Sequence, residues 1–315
     1  MDPTTEAEQR HELLRRRSLS LRDAASTEVW LTFERAAGAL DAYLAGLALE
    51  DLGPLSGSPL SPNVLRAVRT SGGRAAVLKL VGEPRTGEAA TLAAWTAGGV
   101  NSVPLLEHGI GAWTDGVTHL LVGWVPGEPM PHSEMAAATG PVVAVLAGAH
   151  LAKPAGVEDL ADSLRPRLRT AEQVWSSAGL TPPVRVDELL SDVPGSVLLH
   201  GDPVGMNLLV DRGSIRLLDP AGVAGPAEFD AGRWVARSLA VAGPGALAGL
   251  TETALRADPS LRPDVLDLCV AVELLIEVRH RITSRDMFLS LGAAASSFDA
   301  DTATLASASR SLAGR

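Results

Sequence analysis

A short apolar run that ends in His200-Gly201-Asp202 constrains this chain more than any other stretch. Val197, Leu198 and Leu199 read as an apolar strand that delivers His-Gly-Asp. Asn207 follows Asp202 by five positions. Leu208–Val210 and Ile215–Leu218 then read as two short strands around the turn Asp211-Arg212-Gly213-Ser214. Asn207 and Asp219 lie six residues to either side of Gly213. A hairpin here brings both to its open end, close to Asp202.

Two carboxylates and an amide gathered in this way suit phosphoryl transfer from ATP. One carboxylate orients the acceptor hydroxyl and takes its proton, while an amide oxygen and a second carboxylate hold magnesium on the phosphates. Magnesium prefers hard oxygen ligands and keeps several waters, so two protein ligands suffice. The five-residue interval from Asp202 to Asn207 equals that of the protein-kinase catalytic loop. Taken singly, an Asp and an Asn five apart are ordinary turn residues. The strand, the His-Gly-Asp, the Asn and the later Asp in that order make the catalytic reading the stronger one.

The rest of the chain supplies a setting for this segment. Residues 1–22 are polar. From Ser26 to Leu49, Phe33, Ala37, Leu40, Tyr43, Leu44 and Leu47 recur at three- and four-residue steps, the period of a helix. A Gly/Ser/Pro-rich stretch from Gly53 to Pro59 follows. Val64–Thr70 and Arg74–Val81 read as a hairpin around Ser71-Gly72-Gly73. Gly87–Ala97 reads as a helix, and Val103–Glu107 and His119–Val125 as strands ended by Pro126-Gly127. Beyond residue 128 the pattern is mainly helical: Gly140–Leu151, Ser163–Ala178, Ala227–Ala240, Ala246–Arg256 and Val265–Thr283. The expected division is therefore 1–125, N-terminal helices and a β-rich nucleotide-binding lobe, and 126–315, a helical catalytic and substrate-binding lobe.

Composition excludes several classes. Forty-six per cent hydrophobic residues suffice for a core without disulfides, and Cys269, the one cysteine, sits in an apolar run where a buried side chain is expected. A chain without a disulfide fits a reducing cytoplasm, and no run of about 18 uncharged apolar residues offers a membrane span. A formal charge of −10 argues against a general nucleic-acid binder. It would attract a cationic small molecule, although solubility alone accounts for an acidic surface.

Lys79, within Ala76-Val77-Leu78-Lys79-Leu80, either faces solvent on the alternate face of a strand or holds a ligand's phosphates. Glu88, at the start of the next helix, and Glu83 are both possible partners. Ser56, Gly57 and Ser58 precede the first hairpin and could cover phosphates or serve as linker. Leu121–Trp124 makes a natural hinge, where the backbone around Val122 and Trp124 could read an adenine edge.

On these residues the chain resembles the aminoglycoside phosphotransferase superfamily, especially its streptomycin and hydroxyurea kinases. The resemblance rests on Arg74–Leu80, Glu88–Trp95, the hinge with Pro126-Gly127, and above all His200–Asp230. It implies an α+β, bilobal protein-kinase-like fold with a small β-rich N-lobe and a larger, mainly helical C-lobe. It implies Asp202 as catalytic base, Asn207 and Asp219 as magnesium ligands, Lys79 as the phosphate-binding lysine with Glu88 as its partner, and ATP and Mg2+ as cofactors. The chain departs from that branch at Pro203-Val204-Gly205 and Pro220-Ala221-Gly222, where acceptor contacts are expected.

The expected partner is a small-molecule acceptor, cationic if charge attraction governs, with no nucleic acid and no membrane. Asp230 either buttresses the active-site loop from a helix start or touches that acceptor. Glu273 and Glu277, one helical turn apart, either face it or belong to a solvated stripe. A metabolic kinase of the same fold is the nearest alternative. A metal-dependent hydrolase is weaker, because the other six histidines lack ligand spacing. A non-catalytic nucleotide-binding relative would usually lack one of Asp202, Asn207 and Asp219. A protein kinase is disfavoured, since nothing after Asp219 resembles an activation segment.

Overall fold

The computed structural model describes residues 24–55, 63–153, 156–182, 196–285 and 295–313. The chain divides into two compact units: residues 1–96 with 102–126, and residues 97–101 with 127–315. Ser56, Gly57 and Ser58 lie outside the described residues.

The first unit is one antiparallel sheet with helices. Helix α1 (Ala24–Gly46) leads to β1 (Glu50–Pro54), β2 (Val64–Arg69) and β3 (Ala75–Val81). Helix α2 (Gly87–Gly98), β4 (Leu105–Ile110) and β5 (Thr118–Gly123) follow. The strand order is β1-β2-β3-β5-β4. The β2–β3 hairpin pairs Val64 with Leu80 and Arg69 with Ala75. Gly73, at φ +79°, supplies the left-handed residue its turn needs. The alternation of β3 sends Leu78 and Leu80 into a core with Ala36, Ala39 and Tyr43 of α1, and Lys79 to the opposite face. Gly82 permits α1 to come that close, since a Cβ there would stand 1.9 Å from the Thr32 carbonyl oxygen. β1, which the sequence pattern does not identify, pairs with β2 through a register shift between Asp51 and Gly53. Its polar and proline residues suit an edge strand.

The second unit is mainly helical. It contains α3 (Thr139–Ala149), α4 (Leu160–Ser177), α5 (Glu228–Ala242), α6 (Leu247–Ala257), α7 (Pro263–Thr283) and α8 (Ala295–Ala313). Six short strands are interspersed among the described residues: β6 (Glu128–Pro129), β7 (Glu158–Asp159), β8 (Val197–Leu199), β9 (Leu208–Asp211), β10 (Ser214–Leu217) and β11 (Val223–Gly225). They form two three-stranded sheets, β10-β9-β6 and β7-β11-β8. Helix α7 is hydrophobic on nearly every side and runs through the core, with Leu266, Cys269, Val270, Leu274 and Leu275 buried beside Trp175 and Phe229. Burial pushes the Cys269 thiol far up, so it stays protonated and packs as an apolar group. Where α5 meets α7, Gly232 allows the closest approach: a Cβ there would lie 2.7 Å from Cys269 Cβ and 3.0 Å from the Val270 backbone nitrogen.

Candidate active site

The apolar strand β8 ends at His200, and Gly201 turns the chain at φ +73°. A side chain at Gly201 would press on Val223 at 2.8 Å and Ala221 at 2.9 Å, so space and dihedral angle both require glycine. The turn is held from below by Asp230, in the first turn of α5. Its carboxylate accepts the His200 and Gly201 backbone N–H groups, each at 2.8 Å, and meets His150 Nε2 of the α3 C-terminus at 2.9 Å. Asp230 is fully buried. Burial alone would raise its pKa, but the hydrogen bond and charge of His150 and the Gly201 amide hold it below the ordinary aspartate value.

This buttress presents Asp202, whose side chain stays 40% exposed and therefore within reach of a ligand. Asn207 Nδ2 donates to the Asp202 carbonyl at 2.9 Å and to Oδ2 at 3.3 Å. Arg233, one turn after Asp230 on α5, donates from Nε to Asp202 Oδ1 at 3.0 Å and also from Nη2 to the same oxygen. Burial pushes the Asp202 carboxyl up, yet the Arg233 guanidinium outweighs it and holds the group below its usual range. Asp202 is thus a carboxylate at neutral pH, ready to accept a hydrogen bond from a hydroxyl.

The hairpin after Asn207 forms with a shifted register. Arg212 (φ +50°) and Gly213 (φ +82°) are both left-handed, as a two-residue type I′ turn requires. The strands pair Ser214 with Asp211 and Leu217 with Leu208, and Leu218 N–H donates to the Asn207 carbonyl at 3.1 Å. Asn207 therefore faces Leu218, and Asp219 falls one residue beyond, in a left-handed conformation at φ +56°. A non-glycine residue there carries strain on the order of 1 kcal/mol or more. The donor set still fits magnesium. The Asn207 NH2 is spent on Asp202, which leaves its amide oxygen as the acceptor, and Asp219 adds a carboxylate. No group of three or more His, Cys, Asp or Glu suited to a metal occurs among the described residues.

In the first unit Lys79 Nζ bonds Glu88 Oε2 at 2.7 Å, and both side chains are buried. Glu83, the other candidate, bonds the Arg85 side chain instead. At the end of β5, Trp124 N–H donates to the Ala75 carbonyl at 3.2 Å, with its ring half exposed, and Val122 is partly buried.

Asp230, Glu273 and Glu277, each read from the sequence as facing the acceptor or serving elsewhere, are all bonded to other groups of the fold. Both carboxylate oxygens of Asp230 are bonded within the fold and inaccessible, which leaves only the buttressing role. Glu273 is 1% exposed and accepts Arg233 Nη1 at 2.6 Å. Glu277 is buried, paired with Arg237 and bonded to Arg281 Nε at 3.1 Å. Burial works against its ionisation, but the arginines hold it charged and its pKa low. The apolar neighbours of Glu273 in sequence signal burial rather than ligand contact. Arg233 and His150 escape a local reading because their partners lie 31 and 80 residues away.

No protein-family model matches the chain, and no curated protein matches it by sequence. Solved structures do match. A thermostable variant of aminoglycoside phosphotransferase APH(4)-Ia, in ternary complex with ADP and hygromycin B, is 15% identical with a TM-score of 0.55, over 86% of this chain and 96% of that one. An aminoglycoside phosphotransferase from Alicyclobacillus acidocaldarius is 14% identical with a TM-score of 0.55, over 84% and 91%. APH(3'')-Id from Streptomyces rimosus is 15% identical with a TM-score of 0.50, over 76% and 98%. The chain thus has the α+β, protein-kinase-like fold of the aminoglycoside phosphotransferases.

Proposed function

We propose that the protein is an ATP- and magnesium-dependent phosphotransferase that phosphorylates a hydroxyl of a small polar molecule. The observation that carries this reading is the exposed Asp202 carboxylate, held by Asn207 and Arg233 on a turn that Asp230 ties from beneath. In this reading Asp202 orients the acceptor hydroxyl and receives its proton, a contribution typically worth about 10²–10⁴-fold. Asn207 and Asp219 hold the metal, and Lys79, kept in place by Glu88, binds the nucleotide's phosphates. Magnesium, when bound, neutralises charge on the phosphates. The backbone carbonyl groups between Val122 and Trp124 read the adenine, since the Trp124 N–H is bonded to Ala75. No helix among the described residues is long and apolar enough to cross a membrane.

The fold neighbours support an antibiotic of aminoglycoside or related type as acceptor, as in the streptomycin and hydroxyurea kinases, and with it a resistance role. A metabolic or biosynthetic kinase is the second reading. It is favoured by one observation: the buried carboxylates that would greet a polycation, Glu273 and Glu277, are committed to arginines. The test is ATP-dependent mass gain across aminoglycosides, hydroxyurea, hydroxylated amino acids and sugars, beside Asp202→Asn. One added phosphate, lost in the variant, is the expected result. Binding of ATP with no transfer to any compound moves the search to other acceptors. Failure to bind ATP with magnesium overturns the kinase reading.

A further inference from the structure

We propose that Glu273 and Arg233 form a positioning pair that holds one oxygen of Asp202 and leaves the other for the acceptor hydroxyl. This rests on the kinase reading and adds to it two residues that never touch the acceptor.

The geometry is a chain of three side chains. Arg233 places Nε and Nη2 on a single oxygen, Asp202 Oδ1, and turns Nη1 the opposite way to Glu273 Oε2 at 2.6 Å. Arg233 and Glu273 are 4% and 1% exposed, whereas the Asp202 side chain is 40% exposed. The chain therefore runs from the interior to the one carboxylate that solvent and ligands reach. A guanidinium has five donors in a rigid fork and stays charged in proteins, so a buried one must have its edges occupied. Left to itself, it would grip Asp202 through both oxygens, its preferred bidentate arrangement with a carboxylate. Glu273 prevents this by pinning the third nitrogen. Oδ2 is then left with the longer Asn207 contact of 3.3 Å, and that oxygen is the one placed to receive the hydroxyl.

The packing of α5 on α7 makes the bridge possible. Gly232, next to Arg233, lets the helices approach until only a glycine fits against Cys269, and Glu273 follows Cys269 by one helical turn. Charge supports the same reading. Asp202 and Glu273 offset Arg233, with Arg237 of the same helix and Arg167 of α4 adding positive potential around the pair.

The test is steady-state kinetics on the full chain, with an acceptor identified by mass gain. The variants are Arg233→Lys, Glu273→Gln, the double variant, and Asp202→Asn as the floor. Each single change is expected to lower kcat by about 10- to 100-fold, as a misplacement near 1 Å does. KM for ATP should stay within about twofold, because uniform binding is untouched. The double variant should be no worse than the weaker single, because both act through one contact. Guanidinium ion added to Arg233→Ala should restore part of kcat, which a purely structural arginine would not predict. If Arg233→Ala does not fold, the isosteric Glu273→Gln still carries the test. Unchanged kcat in both singles, losses that multiply in the double, or a rise in KM for ATP matching the loss would each overturn the proposal. A wild type that transfers no phosphate would instead overturn the kinase reading, so the two failures are distinguishable.

Discussion

Glu88 in the first unit and Asp230 in the second are both buried carboxylates, and the two are used differently. In the first unit, Glu88 meets Lys79 side chain to side chain across the gap between α2 and β3. In the second, Asp230 spreads its charge over two backbone amides and an imidazole. The first arrangement fixes where a cation sits. The second fixes the path of the main chain at the point where Asp202 leaves β8. A buried pair of the first kind can be exchanged for apolar residues of like volume with little change in stability. No apolar residue can accept the His200 and Gly201 N–H groups.

The sharpest way to break the comparison is therefore Asp230→Asn. The amide offers one acceptor where the carboxylate offers two, and turns an NH2 toward backbone donors. We expect a loss of about 3–5 kcal/mol, the range for a broken buried charge network, and at least about 10²-fold in kcat as Asp202 moves. Thermal melting and single-turnover phosphoryl transfer check both. A variant that melts with the wild type would show that the His200–Asp202 turn stands without its buttress.

Gly201→Ala should follow. It forces a residue with a Cβ to φ +73° and against Val223 at 2.8 Å and Ala221 at 2.9 Å. A loss of roughly 1–3 kcal/mol is expected, with kcat reduced and the melting temperature lowered by several degrees. Equal activity in the variant would mean that the turn relaxes without displacing Asp202.

The first unit should answer in the opposite way. Replacing both members of its pair, Lys79→Met with Glu88→Leu, should leave stability within about 1 kcal/mol of wild type while weakening ATP binding by about tenfold or more. Calorimetric titration with ATP and magnesium reads the second effect, and a urea melt the first. Destabilisation as large as that of Asp230→Asn would erase the distinction drawn between the two units.

The contrast also marks what could be read from sequence. The β2–β3 hairpin, α2 and the strand that leads to His-Gly-Asp announce themselves through short-range patterns: period two in β3, Gly72-Gly73 between strands, apolar residues before His200. Lys79 and Glu88 stand nine residues apart on consecutive elements, so their pairing is nearly local. The second unit is different. The hairpin after Asn207 looks symmetrical about Gly213, but a left-handed Arg212 joins Gly213 in the turn and moves the register by one, so that Asp219 passes Asn207. Nothing in the identity of an arginine announces a positive φ. Arg233 and Glu273 meet only because Gly232 lets two helices cross closely, and a glycine inside a helix carries no mark of its partner. Glu273 and Glu277 kept helical spacing, yet spacing alone does not tell whether a stripe meets arginines or a ligand.

The smallest predicted effect compares the Asp230 network with a partly solvated pair on the same helix. Glu228 is buried and accepts the Arg262 backbone N–H at 3.0 Å and its Nε at 2.8 Å, but Arg262 itself is partly exposed. Burial works to raise the Glu228 pKa, and the hydrogen bonds from Arg262 overcome it, so the folded value lies below the ordinary one. A lowered acid pKa contributes stability that is present above the unfolded value, near 4.3 for glutamate, and is lost as pH falls through the folded one. Glu228→Gln should thus be less stable than wild type at pH 7 by about 1.5 kcal/mol, the lower end for a charge-assisted bond. The difference should shrink as the pH falls below about 4. Melting curves of both proteins from pH 7 to pH 3 measure it. A gap that stayed constant with pH would show that the glutamate acts through its shape, and that charge on α5 is put to use only where Asp230 and Arg233 hold the turn and Asp202.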